Sequence, residues 1–308
     1  MKRTVGIIGT GWVGASVAIS TLQSGVADEL LLYDIRADIA EGEAMDLAHG
    51  ESFYPAALIR TASIEEMKNA DVLVVTAGRA GNSEESRLDL LHDNIKIIRG
   101  VGERLSGYHG VIIVLTNPVD ILTQAMTEAS GLPASRVIST GTILDTARLK
   151  QNLACILDLD PHCIHAQVVG EHGDSEVVLW SSAYVGGIPL KKFPGWNMQQ
   201  ATTVENEVRN AAYSIIQKKG STNHAVGLVT ADLLKCILRN ERRILTVSRI
   251  QEGALGLHGV ALSLPTIVGS DGAVLVLEPD MDITEKSRLL HSTKVLRDAL
   301  LQLGTRIQ

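Results

Sequence analysis

Cysteine is scarce in this chain. Its 308 residues include three, Cys155, Cys163 and Cys236, with no Cys-x-x-Cys spacing. An odd count without paired spacing argues against a disulfide framework and against a thiolate zinc site. A reducing compartment, the cytoplasm, is the simplest expectation. Cys155 and Cys236 sit in apolar helical patterns, where a free thiol behaves as a small core residue. Long basic blocks are missing as well. The balance of 28 Lys and Arg against 35 Asp and Glu gives a formal charge of −7. A nucleic-acid binder concentrates its cations on one face, so no nucleic-acid partner is expected; the acidic excess speaks for solubility. No apolar run approaches the roughly 20 residues needed to cross a bilayer, so no membrane partner is expected either. Lys2 and Arg3 precede an apolar stretch, and Ala15-Ser16-Val17-Ala18 vaguely has the form of a cleavage site. Gly9, Thr10 and Gly11 interrupt that stretch and disfavour a signal peptide. Internal repeats and low-complexity linkers are also lacking.

What is present is a regular alternation. Strand patterns at Thr4–Ile8, Leu30–Tyr33, Leu58–Thr61, Val72–Thr76, Val111–Leu115 and Val137–Ile138 are separated by amphipathic stretches. These include Val13–Ser24, Asp38–His49, Arg87–Leu105 and Ile121–Ala129. Apolar strands alternating with helices predict a parallel sheet covered on both faces. The expected fold class is therefore α/β: a doubly wound parallel-sheet (Rossmann) nucleotide-binding domain over residues 1–141. Residues 142–308 change character and predict an α+β substrate domain. Helical patterns there cover Leu144–Leu157, Thr202–Lys218, Ala225–Leu238 and Ile283–Leu303. Strands are expected at Ile164–Val169 and Val177–Tyr184, and an antiparallel sheet from Ile244–Ser248, Val260–Leu264 and Ala273–Leu277.

Gly9-Thr10-Gly11-Trp12-Val13-Gly14 follows the first strand and opens the first helix. In that setting Gly9 permits the tight turn, Gly11 lets the backbone approach a pyrophosphate, and Gly14 allows close helix–strand packing. The helix N-terminus offers free N–H groups to the phosphates. The plainer alternative is a glycine-rich turn without a ligand. Asp34, ending the second strand, is placed to accept hydrogen bonds from adenosine ribose hydroxyls. Its charge would repel a 2′-phosphate, so NAD is the expected cofactor. Arg36 nearby tempers that preference.

Of nine histidines, His172 stands apart. It lies in Gly170-Glu171-His172-Gly173-Asp174, a polar segment between two strands. His49, His92, His109, His258 and His291 have no organised polar company. His162 and His165 flank Cys163, but no second cluster has ligand spacing, so no metal is expected. Asp145 and Arg148 stand three residues apart on one helix face. As an exposed ion pair they would contribute little. As a functional pair, Asp145 would fix one ring nitrogen of His172, and Arg148 would grip a carboxylate with two parallel hydrogen bonds. Thr116-Asn117-Pro118 follows a strand at the carboxyl edge of the sheet, where ligands of this architecture bind. Asn117 is either a substrate donor there or part of a helix-capping turn. Arg87 follows a polar stretch from Gly78 to Ser86 that could close over a cleft. It either polarises a carbonyl or is a surface arginine.

Taken jointly, Gly-Thr-Gly-Trp-Val-Gly, Thr-Asn-Pro-Val-Asp, Gly-Thr-Ile-Leu-Asp-Thr-Ala-Arg, Gly-Glu-His-Gly-Asp-Ser-Glu and Lys219-Gly220-Ser221-Thr222 resemble the L-lactate dehydrogenases of the lactate/malate dehydrogenase family. The resemblance covers essentially the whole chain. It implies a glycolytic, cytoplasmic, NAD-dependent enzyme that reduces pyruvate reversibly, assembled as a homotetramer or dimer. It implies that His172 exchanges the proton, Asp145 orients it and Arg87 polarises the carbonyl. Arg148, Asn117 and Thr222 would contact the substrate. Beyond the three glycines and Asp34, it implies NAD contacts at Trp12, Val13, Thr76, Gly78, Thr116, Asn117 and Thr140. Many bacterial relatives bind fructose 1,6-bisphosphate at a subunit interface, and the matching positions are Lys150 and His165. One position departs. Six residues before Arg87 stands Gly81, where lactate enzymes typically carry Gln and malate enzymes Arg. A second substrate carboxylate left unpaired costs on the order of several kcal/mol, so oxaloacetate is expected to be poor unless Arg79 takes its place. The room at Gly81 predicts tolerance of longer apolar 2-oxo acids. Alternatives are a malate dehydrogenase, an L-2-hydroxyisocaproate-type dehydrogenase, and, from another class, a non-catalytic NAD-binding protein.

Overall fold

The computed structural model describes residues 2–79, 81 and 87–303. Thr4–Ile8, β-branched and apolar, forms β1 and is buried along its whole length. The alternation continues through α1 (Trp12–Ser24), β2 (Glu29–Tyr33), α2 (Ala37–His49), β3 (Leu58–Thr61), α3 (Ile64–Met67) and β4 (Val72–Val75). Next come α4 (Arg87–Arg104), β5 (Val111–Val114), α5 (Val119–Ser130) and β6 (Val137–Ser139). These six strands run parallel in the order β3-β2-β1-β4-β5-β6. The two-residue period of a strand sends neighbouring side chains to opposite faces. Ile7, Leu32 and Val74 join one core, whereas Ile8, Leu31 and Val75 join the other. β3 is one margin of the sheet and is largely exposed.

The second half begins with α6 (Ile143–Leu157), followed by β7 (Ile164–His165), β8 (Val168–Val169), β9 (Val177–Val178), β10 (Tyr184–Val185) and β11 (Ile188–Pro189). The two longer strands expected here are each divided. β7 pairs with β10, whereas β8 pairs with β9. The chain changes partner between them, a switch that a continuous apolar run does not reveal. After α7 (Ala201–Lys219) and α8 (His224–Leu238) come β12 (Arg243–Leu245), β13 (Ser248–Glu252), β14 (His258–Ser263), β15 (Thr266–Gly269), β16 (Gly272–Val276) and α9 (Ile283–Gln302).

The expected separate antiparallel sheet needs correcting. Only β12, β15 and β16 form one. β13 and β14 instead extend the first sheet beyond β6, antiparallel, to make eight strands. An open margin of unpaired N–H and C=O groups accepts such an addition. α8 likewise returns to the first sheet and packs on α1 closely enough that a Cβ on Gly227 would lie 2.4 Å from the Ser16 carbonyl oxygen. Cys236 is buried in α8 as expected, but Cys155 is exposed.

Candidate active site

Asn117 and Pro118 after β5, the start of α6 and the segment between β8 and β9 line a cavity of about 940 Å³, walled also by α4, α7 and α9. Asn117, Asp145, Arg148 and His172 all line it. Asp145 lies in the first turn of α6 and is 2 % exposed. Its Oδ2 accepts from His172 Nδ1 at 2.6 Å, and its Oδ1 accepts from Arg148 Nη1 at 2.7 Å. Asp145 is buried and His172 and Arg148 are half-buried, so this is a three-member cluster set into the wall rather than a surface ion pair, and its charges are less screened than on the surface. His172 sits between β8 and β9, and its backbone N–H donates to Asp120 Oδ2 at 2.8 Å. Asp120, near the start of α5, is buried.

Burial opposes a charge on His172, but the Asp145 charge and hydrogen bond outweigh it, helped by Asp120 and Glu176, and hold the imidazole up at about 9. Burial also works against the Asp145 charge, yet His172 and Arg148 keep that carboxyl below its ordinary value. The cluster therefore rests as a protonated imidazole, a carboxylate and a guanidinium. Burial pushes Asp120 up to about 6, partly offset by the His172 amide. Burial and the neighbouring Asp145 charge push Glu176 up to about 8.

The residues missed by sequence reasoning are Glu176, Arg209 and His291, all lining this cavity, and Asp120 beneath it. Glu176 had a signal: a charged residue directly before the buried pair Val177-Val178. On the rim, both Arg288 Nη atoms bond Glu205 at 2.9 Å, and Trp180 Nε1 donates to the same carboxylate at 2.7 Å. This clasp ties α9 to α7.

At the other end of the sheet edge, Gly9 has a φ of 100° and turns the chain into α1. A Cβ on Gly14 would lie 2.0 Å from the Gly9 carbonyl oxygen, whereas one on Gly11 would meet nothing within 4 Å. The chain is thus packed behind Gly14 and open in front of Gly11. No side chain caps the α1 N-terminus. Asp34 Oδ2 accepts from the Thr10 N–H at 2.9 Å, which fixes the carboxylate beside the glycine turn. Thr76 Oγ1 donates to the Gly9 carbonyl at 2.7 Å, and Thr116 Oγ1 to the Ala77 carbonyl at 2.8 Å. An uncapped helix start, an open glycine face and an adjacent acid fit a dinucleotide's pyrophosphate and ribose.

Comparison with known proteins agrees along the whole chain. Residues 3–139 match the family model for the lactate/malate dehydrogenase NAD binding domain, and residues 142–305 match that for its alpha/beta C-terminal domain. The chain belongs to the lactate/malate dehydrogenase family. It is 42% identical over 306 residues to an L-lactate dehydrogenase of Lactococcus lactis, covering 97% of this chain and 98% of the relative. An L-lactate dehydrogenase of Kosmotoga olearia is 41% identical over 306 residues, covering 96% and 95%. The ligand-bound crystal structure of the minor L-lactate dehydrogenase from Enterococcus mundtii superposes with a TM-score of 0.95 at 37% identity, covering 100% of this chain and 99% of that one. The family member described here is accordingly an NAD-dependent oxidoreductase.

The other expected site residues are distributed as follows. Trp12 is exposed and Val13 half-buried at the start of α1, and Thr140 is half-buried after β6. Gly78 is exposed and backed by Thr116, whose Cγ2 would lie 2.5 Å from a Cβ there. Thr222 is half-buried between α7 and α8, outside the set of residues lining the cavity. Its neighbour Asn223 instead donates to Ser16 Oγ at 2.8 Å, drawing this turn toward α1. Gly81 is exposed. Arg87 opens α4, but its side chain, like Glu84, Glu85 and the rest of residues 82–86, lies outside the described residues. Arg79 is engaged with Asp93, through Nε at 3.0 Å and Nη2 at 2.8 Å. Lys150 on α6 and His165 on β7 occupy neighbouring elements, and burial followed by the Arg243 charge lowers the Lys150 ammonium. Among the described residues no group of His, Cys, Asp and Glu could hold a metal ion. None of the described helices is long and apolar enough to cross a membrane.

Proposed function

We propose that this protein is an L-lactate dehydrogenase, interconverting pyruvate and L-lactate. The observation that carries this reading is the single carboxylate of Asp145, which holds both a protonated imidazole and a guanidinium at one cavity wall. NADH, when bound, supplies the hydride that reduces the substrate's C2. Everything else falls to the chain. Because Nδ1 is held by Asp145, the His172 proton available to substrate is the one on Nε2. It passes to the carbonyl oxygen as charge develops there, and the imidazole is left neutral against Asp145. Arg148 uses one nitrogen on Asp145 and keeps the others for the substrate carboxylate. Asn117 donates to the substrate, and Arg87 stabilises the developing oxyanion. The reverse reaction requires His172 neutral.

Preference for a monocarboxylate is supported by Gly81, which brings no cation, and by Arg79, whose guanidinium is committed to Asp93. A panel of pyruvate, 2-oxobutyrate, longer branched 2-oxo acids and oxaloacetate, assayed by NADH absorbance, tests the reading. Pyruvate and its apolar homologues should be turned over, with oxaloacetate at least tenfold poorer in kcat/KM. Oxaloacetate preferred over pyruvate would overturn it in favour of a malate dehydrogenase. The proposal extends to a cytoplasmic homotetramer, divided at residues 141 and 142 into cofactor and substrate domains. Sedimentation velocity at micromolar concentration checks the assembly. Fructose 1,6-bisphosphate acting at Lys150 and His165 would lower the KM for pyruvate.

A further inference from the structure

The cavity wall contains one acid that the proton transfer above does not use. Glu176 precedes β9, is 3 % exposed, and has an Oε1 with no hydrogen-bond partner. It lines the same cavity as Arg148 and His172. The charges that bear on it are Asp145 and Arg148 from α6, His172 from the preceding segment, and Arg209 from α7. Arg209 has its own Nε buried without a partner. On α9, Arg288 is committed to Glu205, and His291 faces the cavity. On its own segment, Glu171 turns back to Ser175, and Asp174 takes a hydrogen bond from Tyr213.

An isolated carboxylate buried in this way strongly favours its neutral form. Burial and the Asp145 charge accordingly push it up to about 8. As a neutral acid it leaves Arg148 to an incoming carboxylate. As an anion it sets a second negative charge beside Asp145, attracts Arg148, and repels the substrate. We propose that Glu176 is a positioning residue for the substrate anion: neutral, it keeps the cavity open to a 2-oxo acid; ionised, it competes for Arg148 and closes the cavity to carboxylates. The inference rests on the pyruvate-reducing reading above. By linkage, binding of the anion then draws a proton onto Glu176 at alkaline pH. His172 acts in the same direction near pH 9, so the two must be separated by substitution.

The test is steady-state kinetics of the full chain with NADH and pyruvate at pH 6.5 and pH 9, comparing wild type with Glu176→Gln. One unit above its midpoint, a blocking ionisation weakens binding roughly tenfold. The KM of wild type should therefore rise between the two pH values by a factor at least threefold larger than that of E176Q, with the difference in KM rather than in kcat. Glu176→Asp, which keeps the acid, should restore a pH-dependent KM. A KM ratio differing by less than threefold between wild type and E176Q overturns the inference and leaves the assigned reaction standing. Absence of pyruvate turnover in wild type overturns both. If E176Q does not fold, the NADH complex of His172→Asn decides, since it keeps Glu176 and removes the other titrating group. Titrated calorimetrically with oxamate at pH 8 in two buffers of different ionisation enthalpy, it should take up about 0.3 proton or more per site, and a smaller uptake overturns the proposal.

Discussion

Asp145 divides its two oxygens between His172 and Arg148, so one substitution there disturbs both. In Asp145→Asn the largest forces that raise the His172 proton affinity are gone, burial is opposed only by the weaker Asp120 and Glu176 charges, and the affinity falls. The alkaline limb of pyruvate reduction should move at least one pH unit toward acid, measured as kcat/KM against pH. His172→Asn should lower kcat by about 10²–10⁴ with NADH affinity nearly intact in a fluorescence titration. Unchanged turnover would remove His172 from the reaction. Linkage also reaches stability. The His172 value is about 9 in the fold against an ordinary 6.5. Its contribution is fully present below pH 6.5 and lost as pH rises through 9. Urea unfolding of His172→Gln should lack that alkaline decline. At this scale the sequence singled out the histidine through its polar, glycine-hinged segment, and the aspartate and arginine through their three-residue spacing on one helix, and the structure brings the three together. Glu176 and His291 stayed hidden, because what matters is the wall they face, and that depends on how α7 and α9 close.

At the scale of elements, two glycines make opposite demands. Gly14→Ala would drive a Cβ into the Gly9 carbonyl at 2.0 Å. It should raise the NADH dissociation constant more than tenfold, which calorimetric titration reads directly. Gly227→Ala presses α8 against the Ser16 carbonyl at 2.4 Å, at the α1–α8 seam rather than within the glycine turn itself. It should destabilise the protein by about 1–3 kcal/mol in urea while changing NADH affinity much less. Every α-helix but the single turn of α3 was legible to within two residues, since period and breakers are local and four residues are too few to show a period. Strands in the first half were legible because each is a short apolar or β-branched run between breakers, buried in all but β3. In the second half, Ile164–Val169 and Val177–Tyr184 each read as one strand, yet each holds two, because strand limits there are set by which neighbour is paired. β15 (Thr266–Gly269) was not expected, although its Thr-Ile-Val run between Pro265 and Gly269 carries a β-branched signal.

For the whole molecule, β13 and β14 matter most. They carry the second half of the chain into the sheet of the first, and α8 does the same through its seam with α1. The halves therefore share strands and a core. Unfolding in urea should follow one cooperative transition. In a Trp12→Phe background the stacked Trp180–Trp196 pair, with centroids 5.4 Å apart, reports the second half by fluorescence, and far-UV circular dichroism reports the sheet. Curves with separate midpoints would show that the halves unfold independently. Composition and alternation indicated two regions correctly in kind. They could not show the exchange of strands, since pairing partners distant in sequence leave no local mark.

β3 remains as a bare flank of this large sheet. It is only four residues long, and its Arg60 is bound to Glu29 and Glu66 at 3.1 and 3.4 Å. A foreign strand seeking to dock there would find a brief template and a fixed cation network that it must first dismantle. The arrangement guards a crowded solution of this protein against fibrillar stacking.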